Sequence, residues 1–310
     1  MKVAVLSGGG GGARFLCGVV DAVDPAAVTA IVNVGDDLEV LGLAVSPDLD
    51  GVVYALAGLA DAERGWGRAE ETWHALETIE SLGGESWFRL GDRDLGLHLV
   101  RSYALRGGAT LSGATAWIAA ALGVETTVLP ATDEPLRTWL ETPHGSFDFQ
   151  HWFVARAHRD PVDRVRYEGA AGARPAPGVL EALHEAELIM IAPSNPFVSI
   201  GPILAVERIR SALARRRVPC VAVSPLIGGE AVKGPAAAML RRLEGGTSAA
   251  DIAQCYPGLI DALVVDEADA DDAEAVAELG IRPIVTKTLM RDEAARRALA
   301  EAALNAVALA

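Results

Sequence analysis

Val3-Ala4-Val5-Leu6-Ser7-Gly8-Gly9-Gly10-Gly11-Gly12-Ala13-Arg14-Phe15 is the stretch that decides the fold. Val3, Val5 and Leu6 suit a buried first strand, and Ala13-Arg14-Phe15-Leu16 can open a helix directly after it. The five glycines between them permit a tight turn and close backbone approach, at an entropy cost that a plain turn does not require. Strand, turn and helix together aim unpaired N–H groups and a helix N-terminus at one place, which predicts a phosphate site around Gly9, Gly10, Gly11, Gly12 and Arg14. The spacing departs from the usual dinucleotide fingerprint, and no Gly-Lys-Ser or Gly-Lys-Thr follows. An ordinary ATPase or kinase is therefore disfavoured, and a nucleotide or phosphoester site of another kind remains.

Outward from this stretch the chain alternates. A helix is predicted over 13–23 and a second strand over 29–34, ending in Asn33-Val34-Gly35-Asp36-Asp37, where glycine and adjacent aspartates stop it. In an open parallel sheet the strand ends collect at one edge, so Asp36 and Asp37 are expected close to the glycines. A second acidic turn, Ser46-Pro47-Asp48-Leu49-Asp50, precedes a helix over 52–60; paired carboxylates in irregular chain suit a hard cation, and equally serve as helix caps. Trp66 and Trp73, seven apart around the start of a helix in which Gly65-Trp66-Gly67 is not itself placed, can share a face, either as a pocket wall or as core. Asp94, His98 and Arg101 fall on one side of a helix, while Asp92 and Arg93 suit either a polar ligand or a salt-bridged loop.

Further helices and strands follow at 112–122, 126–129, 179–186, 188–192, 205–215, 220–223, 236–243, 248–255, 259–265, 283–285 and 293–309. The strand at 188–192 runs into Pro193-Ser194-Asn195-Pro196, with Ser199 beyond, whose neutral hydrogen-bonding groups suit a base, ribose or phosphate. The predicted class is α/β, a Rossmann-like, mostly parallel sheet flanked by helices with a smaller inserted α+β lobe. It divides as 1–132 (N-terminal part of the core with a helical substrate region), 133–175 (inserted lobe or sheet extension) and 176–310 (C-terminal part of the core).

The totals bound the function. With 310 residues, 51% hydrophobic and 22% charged, the chain can bury a sizeable core. A formal charge of -15 argues against binding nucleic acid or an acidic membrane surface. Cys17, Cys220 and Cys255 have no metal-ligand spacing and point to a reducing compartment. With no signal-like leader and no charge-free span of membrane length, a cytoplasmic protein is expected.

In order and spacing, residues 7–15, 33–37, 47–50, 66 with 71–73, 87–95, 193–202 and 224–234 resemble the 2-phospho-L-lactate transferase family of coenzyme F-420 biosynthesis. The resemblance implies a homodimeric, magnesium-dependent transferase. It moves phospholactate or phosphoenolpyruvate from a guanosine diphosphate-linked donor to the ribityl hydroxyl of the deazaflavin Fo, releasing GMP. It also implies a metal on Asp36 with Asp50 and Asp37 as neighbours, a proton acceptor among these three, donor contacts from the glycine turn and Ser194-Asn195-Pro196 with Ser199, and an Fo side built from Trp66, Trp73, Asp92, Arg93 and Asp94. Two departures stand out: Gly10 where relatives often carry a larger residue, and Ala236-Ala237-Ala238 where an Asp-Lys pair is common. The competing expectations are a nicotinamide-dependent oxidoreductase, for which Asp36 or Asp37 would contact a ribose, and a guanine-nucleotide sensor without catalysis.

Overall fold

The computed structural model describes residues 1–306. Seven strands form one parallel sheet: β1 (Val3–Ser7), β2 (Val28–Val32), β3 (Thr127–Pro130), β4 (Leu188–Ile191), β5 (Cys220–Val223), β6 (Ala262–Asp266) and β7 (Arg282–Thr286). Their spatial order is β7-β6-β5-β4-β1-β2-β3, with Val3 of the interior strand β1 paired to Val28 on one side and Leu188 on the other. β1, β4 and β5 are buried throughout, as expected of parallel strands covered on both faces. The connection after β1 runs to β2 on one side and the connection after β4 runs to β5 on the other, so a crevice opens beyond the carboxyl ends of β1 and β4. This is the predicted Rossmann-like α/β class, with smaller antiparallel sheets added to it.

Five helices of the N-terminal half matter for the site: α1 (Gly9–Ala22), α2 (Pro47–Leu56), α3 (His74–Ser81), α4 (Asp92–Arg106) and α5 (Leu111–Ala121). The α1 helix buries Phe15, Leu16 and Val19 against α2 and the terminal helix Glu293–Asn305. Gly18 is required there because the Arg296 carbonyl fills the space of a side chain.

Four expectations change. The glycine run is the first turn of α1 rather than a loop ahead of it: Gly8 is the extended N-cap, and Gly9 through Gly12 already lie in the helix. Likewise Pro47, Asp48 and Asp50 form the first turn of α2, where proline's fixed φ suits the opening position and carboxylates complement the dipole. Trp66 and Trp73 do not share a helix face; Trp73 is the residue before α3, and Trp66 lies in the irregular chain ahead of it. The helix expected at 205–215 is present over Glu207–Ala214, with a later start because Val206 (ψ 97) separates it from a short helix at Gly201–Ala205. The hairpin of Leu38–Val40 with Leu43–Val45 and the helix Ala273–Glu278 are additions that the periodicity did not single out. The terminal helix is described over Glu293–Asn305, and Leu309 lies outside the described residues.

Arg137–Thr142, Gly145–Asp148 and Arg164–Glu168 form a three-stranded antiparallel sheet. Its Leu140, Phe149, Trp152 and Val162 share one apolar cluster with Val198 and Met239 of the main body. Two contacts brace the crevice: Thr138 N–H donates to the Gly35 carbonyl at 2.7 Å, and Tyr167 Oη donates to the Phe197 carbonyl at 2.6 Å. The small sheet thereby holds the chain segments after β2 and β4.

Candidate active site

Three strand ends and one helix start meet beyond β1. Ser194 Oγ, after β4, donates to the Gly8 carbonyl at 2.7 Å. A Cβ at Gly8 would stand 2.8 Å from Asp48 Oδ2, 2.9 Å from Ser199 Cβ and 3.0 Å from Asn33 Cβ, so three separate segments close on this one glycine. Gly11 packs as closely: a Cβ there would lie 2.8 Å from the Pro193 carbonyl. Because that neighbour is backbone, Gly11→Ala must push the two strand-end loops apart. We expect a loss of about 1–3 kcal/mol on overpacking grounds, measured by urea denaturation; a variant as stable as the parent would show that the contact is slack.

Asn33 organises the acidic part. Its Oδ1 accepts from Gly35 N–H at 2.7 Å, while its Nδ2 donates to Asp48 Oδ2 at 2.9 Å, to the Val198 carbonyl at 3.2 Å and to Asp36 Oδ1. Asp36 and Asp48 are both buried around this one amide. Burial drives the Asp36 pKa well above the carboxylate range, with repulsion from Asp48 and Asp37 adding to it. Burial raises Asp48 to about 6 against the pull of Asn33 and the Gly9 N–H. Asp37 is raised to about 7, mainly by burial, with Arg137, Ser46 and Arg101 opposing. Its Oδ2 accepts from Ser46 Oγ at 2.8 Å, and its enclosed Oδ1 has no partner among the described residues.

Raised carboxylate values fix the sign of a pH effect. A group that binds its proton more tightly when folded stabilises below its unfolded pKa, and that stabilisation disappears as pH rises through the folded value. For Asp37 the window runs from about 4 to about 7. The ligand-free Asp37→Asn variant should therefore gain melting temperature relative to the parent between pH 5 and pH 8. A difference independent of pH would mean that Asp37 titrates normally.

Asp50 sits behind this group rather than in it. Both its oxygens accept from Arg101 of α4, Oδ2 at 2.9 Å, and both side chains are buried. His98 Nδ1 stands 3.7 Å from Asp50 and its Nε2 3.5 Å from Asp94, which accepts from Tyr54 Oη at 2.7 Å. A buried charged network thus ties α2 to α4. The Asp92-Arg93-Asp94 element divides accordingly: Asp94 faces the network, Asp92 accepts from Thr72 Oγ1 and from the His74 and Ala75 N–H groups, and exposed Arg93 pairs with Glu70 at 2.8 Å.

The tryptophans do meet, though through loop rather than helix. Their ring centroids are 6.4 Å apart, edge to face, with Arg64 5.2 Å from Trp66 and 5.1 Å from Trp73, and Arg89 4.6 Å from Trp73. Trp66 is half exposed, and Arg14 is exposed on α1. Asn195 caps the turn Pro196–Ile200, its Oδ1 accepting from Phe197 N–H at 2.9 Å, and the turn carries Ser199 toward Gly8.

The sequence reading assigned no role to Asn33 or to the Arg101 partnership with Asp50, and it weighed Asp48 only together with Asp50 as a cation ligand. Asp48 carried the same signal as Asp50, and only the helical start of α2 separates them, turning Asp48 to the glycines and Asp50 to Arg101. Among the described residues no three His, Cys, Asp or Glu side chains cluster to hold an ion. The buried carboxylates gathered there are Asp36 and Asp48, which repel each other. This suits magnesium, which keeps several waters and binds through one or two carboxylates plus substrate phosphates.

A doubly wound sheet with an N–H-rich helix start and buried carboxylates at its switch point defines a nucleotide-handling α/β enzyme. Residues 3–299 match the family described as 2-phospho-L-lactate transferase CofD, and the chain belongs to that family of transferases. It is 41% identical over 311 residues to a phosphoenolpyruvate transferase of Streptomyces coelicolor, covering 98% of each chain. It is 42% identical over 317 residues to one of Kitasatospora aureofaciens (100% and 98% covered), and 38% identical over 298 residues to a 2-phospho-L-lactate transferase of Methanosarcina acetivorans (96% of each). A solved Bacillus halodurans structure of the upf0052 family shares the fold, with a TM-score of 0.66 at 20% identity over 98% of this chain and 100% of that one. No described helix is long and apolar enough to cross a membrane.

Proposed function

We propose that this chain transfers the phosphorylated three-carbon unit of a guanosine diphosphate-linked donor to the terminal ribityl hydroxyl of the deazaflavin Fo, in the making of coenzyme F-420. The hydroxyl oxygen bonds to the phosphorus that carries the three-carbon unit, the bridging P–O bond breaks, and GMP leaves. Family membership supports the reaction, and one observation supports its location: the Ser194-to-Gly8 hydrogen bond, which closes two strand-end loops beside Asp36 and Asp48. The donor's diphosphate is assigned to Gly9, Gly10, Gly11 and Gly12 with Ser194, Asn195, Pro196 and Ser199, and Arg14 nearby. The Fo side is assigned to Trp66, Trp73 and the start of α4 with Asp92, Arg93 and Asp94.

In this assignment Asp36 and Asp48 would hold magnesium, which would supply charge neutralisation for the nonbridging phosphate oxygens. Asp50, whose oxygens are committed to Arg101, positions α2 against α4 instead of ligating the ion. Asp37 takes the hydroxyl proton; its unpartnered oxygen and a pKa near 7 suit a general base at neutral pH. The enolpyruvyl donor is favoured, because the relatives at 41% and 42% identity carry the phosphoenolpyruvate name and the one at 38% the phospholactate name. A second copy of this chain is expected as partner, and exposed Leu99, Tyr103 and Trp117 on α4 and α5 offer it an apolar surface. A cytoplasmic setting fits the free cysteines.

Incubating the protein with Fo, magnesium and each donor in turn, with products resolved by mass, tests this directly. The expected result is the enolpyruvyl phosphodiester of Fo with one GMP per product. GDP binding without GMP release from either donor would leave a nucleotide sensor, and nicotinamide binding in place of Fo and GDP an oxidoreductase.

A further inference from the structure

The assigned reaction brings a diphosphate into a crevice that already holds two buried carboxylates, in a chain of net charge -15. Backbone N–H groups contribute only partial charges, and no lysine follows the glycine turn as it does in a Walker loop. A full positive charge from the other half of the chain nevertheless reaches Gly65, whose carbonyl packs against that turn.

Beyond β5 the chain folds into a hairpin of Leu226–Ile227 with Glu230–Ala231. Its tip is anchored, since the Gly228 and Gly229 N–H groups donate to the Asp269 carboxylate at 2.9 and 2.8 Å. Lys233 follows the hairpin, ahead of Gly234 (φ +79) and the helix Ala236–Leu243. Its Nζ lies 2.5 Å from where a Cβ of Gly65 would be, and the Gly65 carbonyl lies 3.7 Å from the Cβ position of Gly10. Ammonium, Gly65 and the first turn of α1 are therefore stacked in that order. Gly65 adopts φ +73, and a side chain there would occupy the ammonium's place.

The loop beneath Lys233 is held firmly. Asp61 Oδ1 accepts from the Glu63 and Arg64 N–H groups at 2.9 and 2.8 Å, its Oδ2 accepts from Arg64 Nε at 2.9 Å, and Gly65 N–H donates to the Asp61 carbonyl at 2.9 Å. Lys233 is exposed, and the hairpin's own acid, Glu230, pairs with Arg241 at 3.2 Å instead of with it. A flexible ammonium with no carboxylate partner among the described residues, one glycine away from the turn, is a donor free to take an anion.

We propose that Lys233 is the cationic clamp for the donor's diphosphate, reaching past Gly65 to neutralise charge on the phosphate that departs as GMP. This rests on the transfer reading above and extends it. Lys233 then does from the far half of the chain what a lysine at the turn does elsewhere, and the 61–68 loop fixes the approach.

The test compares Lys233→Ala and Lys233→Arg with the parent protein, using GDP binding by calorimetry, steady-state turnover and Fo binding by fluorescence. Loss of a charge-assisted contact should weaken GDP binding by about 10- to 100-fold in Lys233→Ala. The donor KM should rise similarly, Fo affinity should stay unchanged, and Lys233→Arg should recover most of the loss. Salt should weaken GDP binding less in Lys233→Ala than in the parent. GDP affinity and donor KM within twofold of the parent in Lys233→Ala overturn the clamp. If the parent itself neither binds GDP nor forms product, the transfer reading has failed, and the two failures are thus told apart.

Discussion

Asp36→Asn should lower magnesium-dependent turnover on the order of 100-fold or more, comparable to removing a preorganised group that stabilises transition-state charge, while the protein stays folded. The reasoning is electrostatic. Asp36 is buried beside Asp48 and near Asp37, so its ionised form is unfavourable in the empty crevice, where burial and like charge both raise its pKa. A divalent cation reverses that balance, and the cost of holding two close carboxylates becomes affinity for the ion. An amide has the same shape and can still meet Asn33, but brings no charge. The variant should therefore melt at or above the parent's temperature near pH 8 without ligands, and should respond less to magnesium when GDP is present. Unchanged turnover at limiting magnesium would remove Asp36 from the site.

Arg101→Ala should be the most destabilising single change near the site, about 3–5 kcal/mol by the cost of stranding one partner of a buried ion pair. Arg101 and Asp50 are both buried, the guanidinium bonds both carboxylate oxygens, and the pair joins the helix carrying Asp48 to the helix that begins at Asp92. Truncation removes the guanidinium that bonds both Asp50 oxygens and leaves that carboxylate buried near Tyr54, His98 and Asp94. Replacing both partners by apolar residues, Asp50→Leu with Arg101→Met, should recover most of the stability, because no buried charge is then stranded. Urea denaturation of the two variants decides the matter: equal losses in the single and the double variant would show that shape, rather than charge pairing, holds α2 to α4.

The sheet was legible because its strands are continuous apolar runs stopped by glycine, proline or acid, and Val3, Ile31, Ile189 and Val221 all lie in such runs. The meeting of the glycine turn with Ser194 was legible too, since parallel strands put their carboxyl ends on one edge. Helix starts were harder. Glycine and proline read as turn residues, yet Gly9 and Pro47 each open a helix, because a first turn needs no backbone partners for its N–H groups. That shift of a few residues decides which carboxylate faces the crevice: Asp48 at the start of α2 does, and Asp50 half a turn later meets Arg101 instead. Arg101 was visible as a residue on one side of a helix, but its partner lies 51 residues away and no local period connects the two. Asn33 looked like the end of a strand, and only the three-dimensional gathering of Asp36, Asp48 and Val198 around its amide gives it a role.

A crystal structure with GDP, magnesium and Fo bound together tests the central claim most directly. The diphosphate is expected against the Gly9 to Gly12 turn and Ser194, with magnesium at Asp36 and Asp48 and with Asp50 still on Arg101. A diphosphate bound away from that turn, or an ion held by neither Asp36 nor Asp48, would contradict it.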